Sequence, residues 1–276
     1  MRGVKVIEKE VLLMKKISVP GLAWAVTAWD MLMDIPVPRI VRNMCAGKNV
    51  THPELAHGFV IVGIFTGVVF ALFSTLLSIS WINNYVAAGI FAIAAAVVCE
   101  LKDSGRGLRL LISAIARKLS GEGWIDSVLD ASSKDGSFEK SSGSISALLI
   151  SFVEVACFGL LSYYHAAWWC VAVFTGAFTI QMLLATLPRT LGNDPFIKIA
   201  PDQKMKIWLF PVIIGVLTIL FFPAAGIVAA VIVGGLGQMV HKNFLLTGTP
   251  VTADVITLCG KLTEIILLLC GVIFVL

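Results

Sequence analysis

Long apolar runs separated by short polar connections make up most of this chain. Seven runs consist mainly of apolar residues: Gly58–Ser80, Tyr85–Cys99, Ile145–Ser162, Ala166–Leu187, Ile207–Phe222, Ala224–Val240 and Val255–Leu276. A helix of about 20 apolar residues crosses a hydrocarbon core of roughly 30 Å. The pattern therefore predicts an all-α fold, a polytopic transmembrane helical bundle with about seven spans.

A shorter apolar stretch, Val19–Met33, precedes these runs and includes or borders Asp30 and Asp34. Because this stretch is shorter than a full crossing needs, we expect an N-terminal interfacial or re-entrant helix, and whether it spans the membrane is left open. The whole chain, 1–276, is expected to form a single integral membrane domain, with residues 1–57 as a segment at the membrane surface.

Composition supports the membrane assignment. Hydrophobic residues make up 58% of the chain and charged residues 14%, whereas soluble domains have about 45–50% and about 25%. Mean hydropathy is +0.93. None of the six cysteines forms a C-x-x-C pair, so we interpret them as small hydrophobic side chains and expect no disulfide framework.

Positive charge is concentrated in the long connections between the runs. The loop Glu100–Gly143 has seven Lys and Arg, and Pro188–Lys206 has four, whereas the opposite turns "WINN", "YYHA" and "FPAA" have none. By the positive-inside rule, the long connections, the 100–143 loop among them, and residues 1–57 face the cytoplasm from the inner membrane. A transporter usually has polar structure on both faces, so this one-sided pattern favours an enzyme. Lipid is the expected surrounding, no nucleic-acid partner is expected, and the oligomeric state is left open.

Two polar segments outside the apolar runs are candidates for chemistry. In "CELKDSGRG", residues 99–107, Glu100 and Asp103 are three apart and share one face if the helix continues. Carboxylates there are suited to Mg²⁺, and the alternative is a solvated helix end. The segment "SSKDGSFEKSSGS", residues 132–144, is either a linker or a phosphate-contacting loop.

A third segment, "TADVITLCGKLTE", residues 252–264, opens the last apolar run. Asp254 is at its start, whereas Lys261 and Glu264 lie deeper in the run. Ionisable residues inside a membrane usually face the bundle interior, and these two are spaced to pair with each other. The chain has no Walker loop, G-x-S-x-G or H-E-x-x-H motif.

The ending "TGTPVTADVITLCGKLTEIILLL" resembles the C-terminal signature of cobalamin synthases (adenosylcobinamide-GDP ribazoletransferases), a T-G-D followed by E-L-x-E. Thr252, Asp254, Leu262 and Glu264 are in register with that signature. The segments "MLMDIPVPRI", "HGFVIVGIFTGVV" and "SKDGSFEKSSGSISALLI" resemble further family segments in the same order. The resemblance covers nearly the whole chain as a succession of weakly specific pieces.

One family motif is incomplete in this chain. Cobalamin synthases have H-x-D-G-x-A-D-x-x-D after the second span, and the corresponding stretch here is "LKDSGRGLRL". Asp103 matches the first aspartate, whereas Gly107 and Leu110 replace the other two. The sequence therefore leaves open whether the protein is catalytically active.

The resemblance implies a transferase that joins α-ribazole, or its 5′-phosphate, to adenosylcobinamide-GDP and releases GMP, in the final steps of cobalamin biosynthesis. It implies Mg²⁺ as cofactor, with Asp103, Asp135 and Asp254 as ligands. Asp103 and Asp254 would be catalytic, and Lys134 and Asp135 would bind substrate. The alternative is a degenerate, non-catalytic membrane homologue that binds a corrinoid or a protein partner. Which lower base is used is left open.

Overall fold

The structure, a computed structural model, describes residues 20–33, 35–45, 52–102, 105–119, 121, 142–185, 209–247 and 252–276. Within these ranges it contains ten α-helices and no strand, which confirms the all-α prediction for them. The helices are α1 Pro20–Leu32, α2 Arg39–Cys45, α3 His52–Ile79, α4 Asn84–Leu101, α5 Arg106–Leu119, α6 Ser142–Tyr163, α7 Trp169–Ala185, α8 Leu209–Phe221, α9 Pro223–Thr247 and α10 Ala253–Phe274.

Three helices in the described part of the chain are long and apolar enough to cross a membrane. They comprise Glu54–Ile79 in α3, Asn84–Leu101 in α4 and Asp254–Phe274 in α10. The other predicted runs coincide with helices whose apolar parts have only 10–17 residues: Leu148–Tyr163, Trp169–Ala185, Pro211–Phe221 and Pro223–Met239. The structure is thus that of a membrane protein with three clear candidate spans among the described residues.

The candidate spans are apolar on their exposed faces as well as on the faces that pack inside the bundle. On α4, the exposed residues Val86, Ile90, Ile93 and Val97 recur at helical spacing. The opposite face of the same helix buries Phe91, among other residues, against the bundle. A helix that is apolar all round belongs in a core or in lipid, and the exposed face has no protein covering it in the described structure. We therefore interpret that face as lipid-facing.

Helix α7 is at the centre of the bundle. Fourteen of its 17 residues are buried, and it packs against α3, α8, α9 and α10. Helix α6 packs against α4, α5 and α10. Helix α10 contacts both α6 and α7, so it connects the helices packed around α6 with those packed around α7.

Two glycines let α3 and α7 approach closely. A Cβ at Gly63 would lie 2.9 Å from the backbone oxygen of Phe174, and one at Gly67 would overlap the backbone of Val171. Small residues at helix crossings allow such approach in membranes, where packing replaces the hydrophobic driving force.

At the N-terminal end, α1 packs along α3. An ion pair of 2.7 Å between Asp30 and Arg42 joins α1 to α2. Helix α1 has 13 residues, about 20 Å at 1.5 Å per residue, which is less than a membrane crossing requires. This length is consistent with the predicted interfacial or re-entrant helix.

The Gly67→Ala variant is expected to be less stable than the wild type by about 1–3 kcal/mol, because the added methyl group forces α3 away from α7. Gly89→Ala is the matched control, since a Cβ at Gly89 meets nothing within 4 Å. The measurement is the temperature at which the monodisperse peak in detergent is lost. Equal midpoints for the two variants would contradict the close α3–α7 packing.

Candidate functional site

The end of α4, the start of α5 and the start of α10 meet at one end of the bundle. Helix α10 packs against α5, and α4 also contacts α5. Two ion pairs join these segments: Arg106 with Asp254, and Lys102 with Glu264. Lys102 and Glu264 are 162 residues apart in sequence. The two polar segments 99–107 and 252–264 therefore contact each other.

Asp254 is in the first turn of α10. Thr252 is the N-cap, and its hydroxyl accepts a hydrogen bond of 3.4 Å from the backbone N–H of Val255. A carboxylate in this first turn is favoured by the helix dipole. Asp254 is half-buried, and its carboxylate is paired with the exposed guanidinium of Arg106. The guanidinium of Arg106 thus already occupies one side of the Asp254 carboxylate.

Deeper in the bundle, five charged residues form what we call the charge cluster: Glu100 and Lys102 from α4 and its C-cap, Glu154 from α6, and Lys261 and Glu264 from α10. Lys261 is only 2% exposed. Its Nζ lies 2.5 Å from Glu154, 2.8 Å from Glu100 and 3.4 Å from Glu264. Lys261 donates hydrogen bonds to Glu100 and Glu264, and Glu154 is its third carboxyl neighbour, in an ion pair.

Glu264 is fully buried and pairs with Lys102. The Lys102 ammonium also lies over the Phe174 ring, with Nζ 5.5 Å from the centroid, a cation–π geometry. Burial lowers the pKa of Lys102, but the charge of Glu264, the hydrogen bond to it and the neighbouring Cys99 together raise that pKa above its usual value. Lys102 therefore stays charged and serves as the main partner of Glu264.

The predicted pairing of Lys261 with Glu264 is confirmed, but it is the longest contact that Lys261 makes in the cluster. Glu100, interpreted above as either a metal ligand or part of a solvated helix end, pairs with Lys261. Sequence reasoning missed Glu154. The available signal was a single carboxylate inside the apolar segment "SALLISFVEVACFGLLS", since an intramembrane ionisable residue points to a functional site or a buried partner.

Three of the four predicted site residues, Asp103, Lys134 and Asp135, lie outside the described residues. Their convergence with Asp254 stays a prediction. Among the described residues, no group of three or more His, Cys, Asp and Glu is arranged to hold a metal ion. On α5, Gly107 and Leu110 add no carboxylate to this end of the bundle.

No protein-family model, curated protein or solved structure matches this chain. The geometry of the site itself therefore indicates what the site can bind. The site has the exposed guanidinium of Arg106 beside the half-buried carboxylate of Asp254. The ion pairs of the charge cluster lie deeper in the bundle.

The Glu264→Gln variant is expected to lose about 3–5 kcal/mol of stability, because it leaves the Lys102 ammonium buried without a carboxylate. Adding Lys102→Met should recover much of that loss, since the pair is then neutral. Thermal unfolding in detergent measures both changes. Asp30→Asn, which breaks the exposed pair with Arg42, is the control and should change stability by less than about 1 kcal/mol.

If the double variant is no more stable than Glu264→Gln alone, Lys102 is not the residue that compensates the charge of Glu264.

Proposed function

We propose that this protein is an enzyme of the cobalamin synthase type, embedded in the inner membrane by about seven spans, with its site facing the cytoplasm. The observation that supports this most is the contact between segments 99–107 and 252–264 through the pairs Arg106–Asp254 and Lys102–Glu264. The family resemblance assigns Asp103 and Asp254, from these same two segments, to one site.

In the proposed reaction, a free ribose hydroxyl oxygen of α-ribazole forms a bond to the cobinamide-side phosphorus of adenosylcobinamide-GDP. The P–O bond of the diphosphate breaks, GMP leaves with that electron pair, and the hydroxyl proton passes to a carboxylate such as Asp103. When the 5′-phosphate of α-ribazole is the substrate, the same ribose hydroxyl attacks and the 5′ phosphate stays on the product. Catalysis of this kind depends mainly on positioning and on neutralising charge at the diphosphate.

Each site residue has a role in that scheme. The guanidinium of Arg106 is exposed and presents donors in a geometry that fits phosphate oxygens. Lys134 would contact a phosphate as a point charge. Mg²⁺ held by Asp103, Asp135 and Asp254 would supply further neutralisation of the diphosphate. The charge cluster beneath would fix the relative positions of α4 and α10, and so the distance between these groups.

A non-catalytic homologue that binds a corrinoid or a protein partner is the second candidate. Two observations favour it. Asp254 is already paired with Arg106 through one carboxylate oxygen, which leaves only the other oxygen for a metal ion. Gly107 and Leu110 stand where the family has aspartates. In this case the same end of the bundle would bind the phosphate groups of a corrinoid without turnover.

The proposed orientation is tested by labelling intact cells with a membrane-impermeant maleimide. Replacing Cys45 with Ser leaves five native cysteines, all buried. A cysteine at Lys242, which is exposed, should stay unlabelled until the membrane is opened. A cysteine at Trp81, which is exposed in the turn after α3, should be labelled at once. The reverse pattern would overturn the orientation and the cytoplasmic site.

The proposed activity is tested by GMP release from adenosylcobinamide-GDP and α-ribazole, with purified protein in liposomes and with or without Mg²⁺. Asp254→Asn is expected to abolish release, a loss of at least about 100-fold if it removes a charge at the diphosphate, without changing the unfolding temperature by more than a few degrees. Asp30→Asn is the matched control and should keep wild-type activity.

Wild-type protein that binds adenosylcobinamide-GDP but releases no GMP would support the non-catalytic candidate. Protein that neither binds nor converts it would overturn the enzyme and the corrinoid-binding homologue.

A further inference from the structure

The charge cluster contains more acidic than basic groups. It has two ammonium groups, on Lys102 and Lys261, and three carboxyl groups, on Glu100, Glu154 and Glu264. If all five were ionised, the cluster would have a net charge of −1. An uncompensated charge inside a low-dielectric bundle costs several kcal/mol, and such a group usually becomes neutral instead. The cluster therefore requires one further positive charge.

The three carboxyl groups differ in how well they can hold a negative charge. Glu264 contacts both ammonium groups. The side chain of Glu100 is 26% exposed and so reaches water, and it lies 2.8 Å from Lys261. Glu154 has no exposed surface, and its one cationic contact among the described residues is Lys261, which it shares with the other two. Glu154 is thus the least able to be ionised.

The two carboxylate oxygens of Glu154 are in different situations. Oε1 lies 2.5 Å from the Lys261 ammonium. Oε2 is buried and has neither a hydrogen-bond partner nor an ion-pair partner in the described part of the chain. A buried carboxylate oxygen without a donor carries a large desolvation cost. That cost is smaller when the oxygen binds a proton and becomes neutral.

The groups that face Glu154 from the packed helices do not change this conclusion. Helix α10 supplies Lys261 and Glu264, and α4 supplies Glu100 and the buried thiol of Cys99, which adds no positive charge. Cys157, one turn away on α6, adds no positive charge. Helix α5 also packs against α6. It has no acidic residue, and its basic side chains, those of Arg106, Arg109, Arg117 and Lys118, are all at least partly exposed.

A metal ion fits this position less well than a proton. Mg²⁺ and Ca²⁺ take six or more oxygen ligands, whereas Glu154 offers one oxygen that has no ion-pair partner among the described residues. The ammonium of Lys261 lies 2.5 Å from the other oxygen and would repel a metal ion beside it.

We propose that Glu154 is a proton-binding site inside the bundle, with its carboxyl group protonated at neutral pH and the charge cluster electrically neutral. When the proton is released, the O–H bond breaks, the electron pair stays on the carboxylate, and the proton leaves past Glu100, the member of the cluster that reaches water. The ionised Glu154 then competes with Glu264 and Glu100 for Lys261. Proton binding on α6 is thereby coupled to the ion pairs of α4 and α10.

Infrared spectroscopy of the purified full-length protein tests this directly. A free glutamic acid has a pKa of about 4.3, so exposed carboxyl groups are ionised at pH 7 and do not give the C=O band of a protonated acid. Wild-type protein is expected to show such a band at pH 7, decreasing as the pH is raised. Glu154→Gln should remove it, and Asp30→Asn, which changes an exposed carboxylate outside the charge cluster, is the control and should retain it.

The absence of the band from wild-type protein at pH 7, or its persistence in Glu154→Gln, would overturn the proposal. If Glu154→Gln fails to fold, Glu154→Asp decides instead. This variant keeps a carboxyl group in a new position, so the band should shift in frequency. A band that is unchanged in Glu154→Asp would assign the protonated acid to another residue and overturn the proposal.

Discussion

The ammonium group of Lys261 is the feature on which the arrangement of three helices depends. It is 2% exposed, and an unpaired charge at that depth would cost several kcal/mol. Its three glutamate partners come from α4, α6 and α10. Each of these helices must therefore hold its glutamate within a few ångströms of one nitrogen atom, which restricts both the rotation and the axial position of all three.

Other parts of the bundle are held by different means. Between α3 and α7, Gly63 and Gly67 permit the two backbones to approach closely, and dispersion contacts supply the attraction. Away from the charge cluster the described helices bury mostly apolar side chains, while lipid-facing residues such as Ile90 and Ile93 stay exposed. Apolar packing of this kind tolerates some sliding, whereas the ion pairs do not, so the cluster determines where the ends of α4 and α10 meet.

That meeting point links the fold to the proposed chemistry. Arg106 follows α4 by a short connection and pairs with Asp254 at the start of α10, so its position depends on the Lys102–Glu264 pair below it. A phosphate bound by the guanidinium would lie at the surface, out of contact with the buried cluster. The charges in the last helix thus divide by depth, with Asp254 near the surface and Lys261 and Glu264 holding the helices together.

The lengths of the apolar runs in the sequence predicted much of the fold. They did not predict most of the contacts in the site. The break between Phe222 and Ala224 was predicted from the apolar pattern, and α8 and α9 are separated there. Helix α9, however, continues to Thr247, whereas the predicted apolar run ends at Val240. Hydropathy indicates where contact with lipid stops, and a helix can continue beyond that point. The spacing of Lys261 and Glu264 predicted their mutual pairing.

The closer partners of Lys261 and Glu264 were not predictable from spacing. Glu100 lies 161 residues from Lys261, and Lys102 lies 162 residues from Glu264. Such contacts depend on which helices pack together and on how each is rotated, and a single sequence does not specify either. Glu154 could have been singled out as an intramembrane carboxylate, but its partner could not.

Cross-linking tests directly whether the segments 99–107 and 252–264 form one site. In a Cys45→Ser background, Arg106→Cys with Asp254→Cys should be joined within one chain by a short bis-maleimide cross-linker, which spans more than the Cα separation that a disulfide allows; peptide mass spectrometry identifies the product. Lys118→Cys with Asp254→Cys is the control, because Lys118 is about 18 Å further along α5 at 1.5 Å per residue. The cross-link is expected in the first variant only. Its absence there, or equal yields in both variants, would contradict the contact between the two segments.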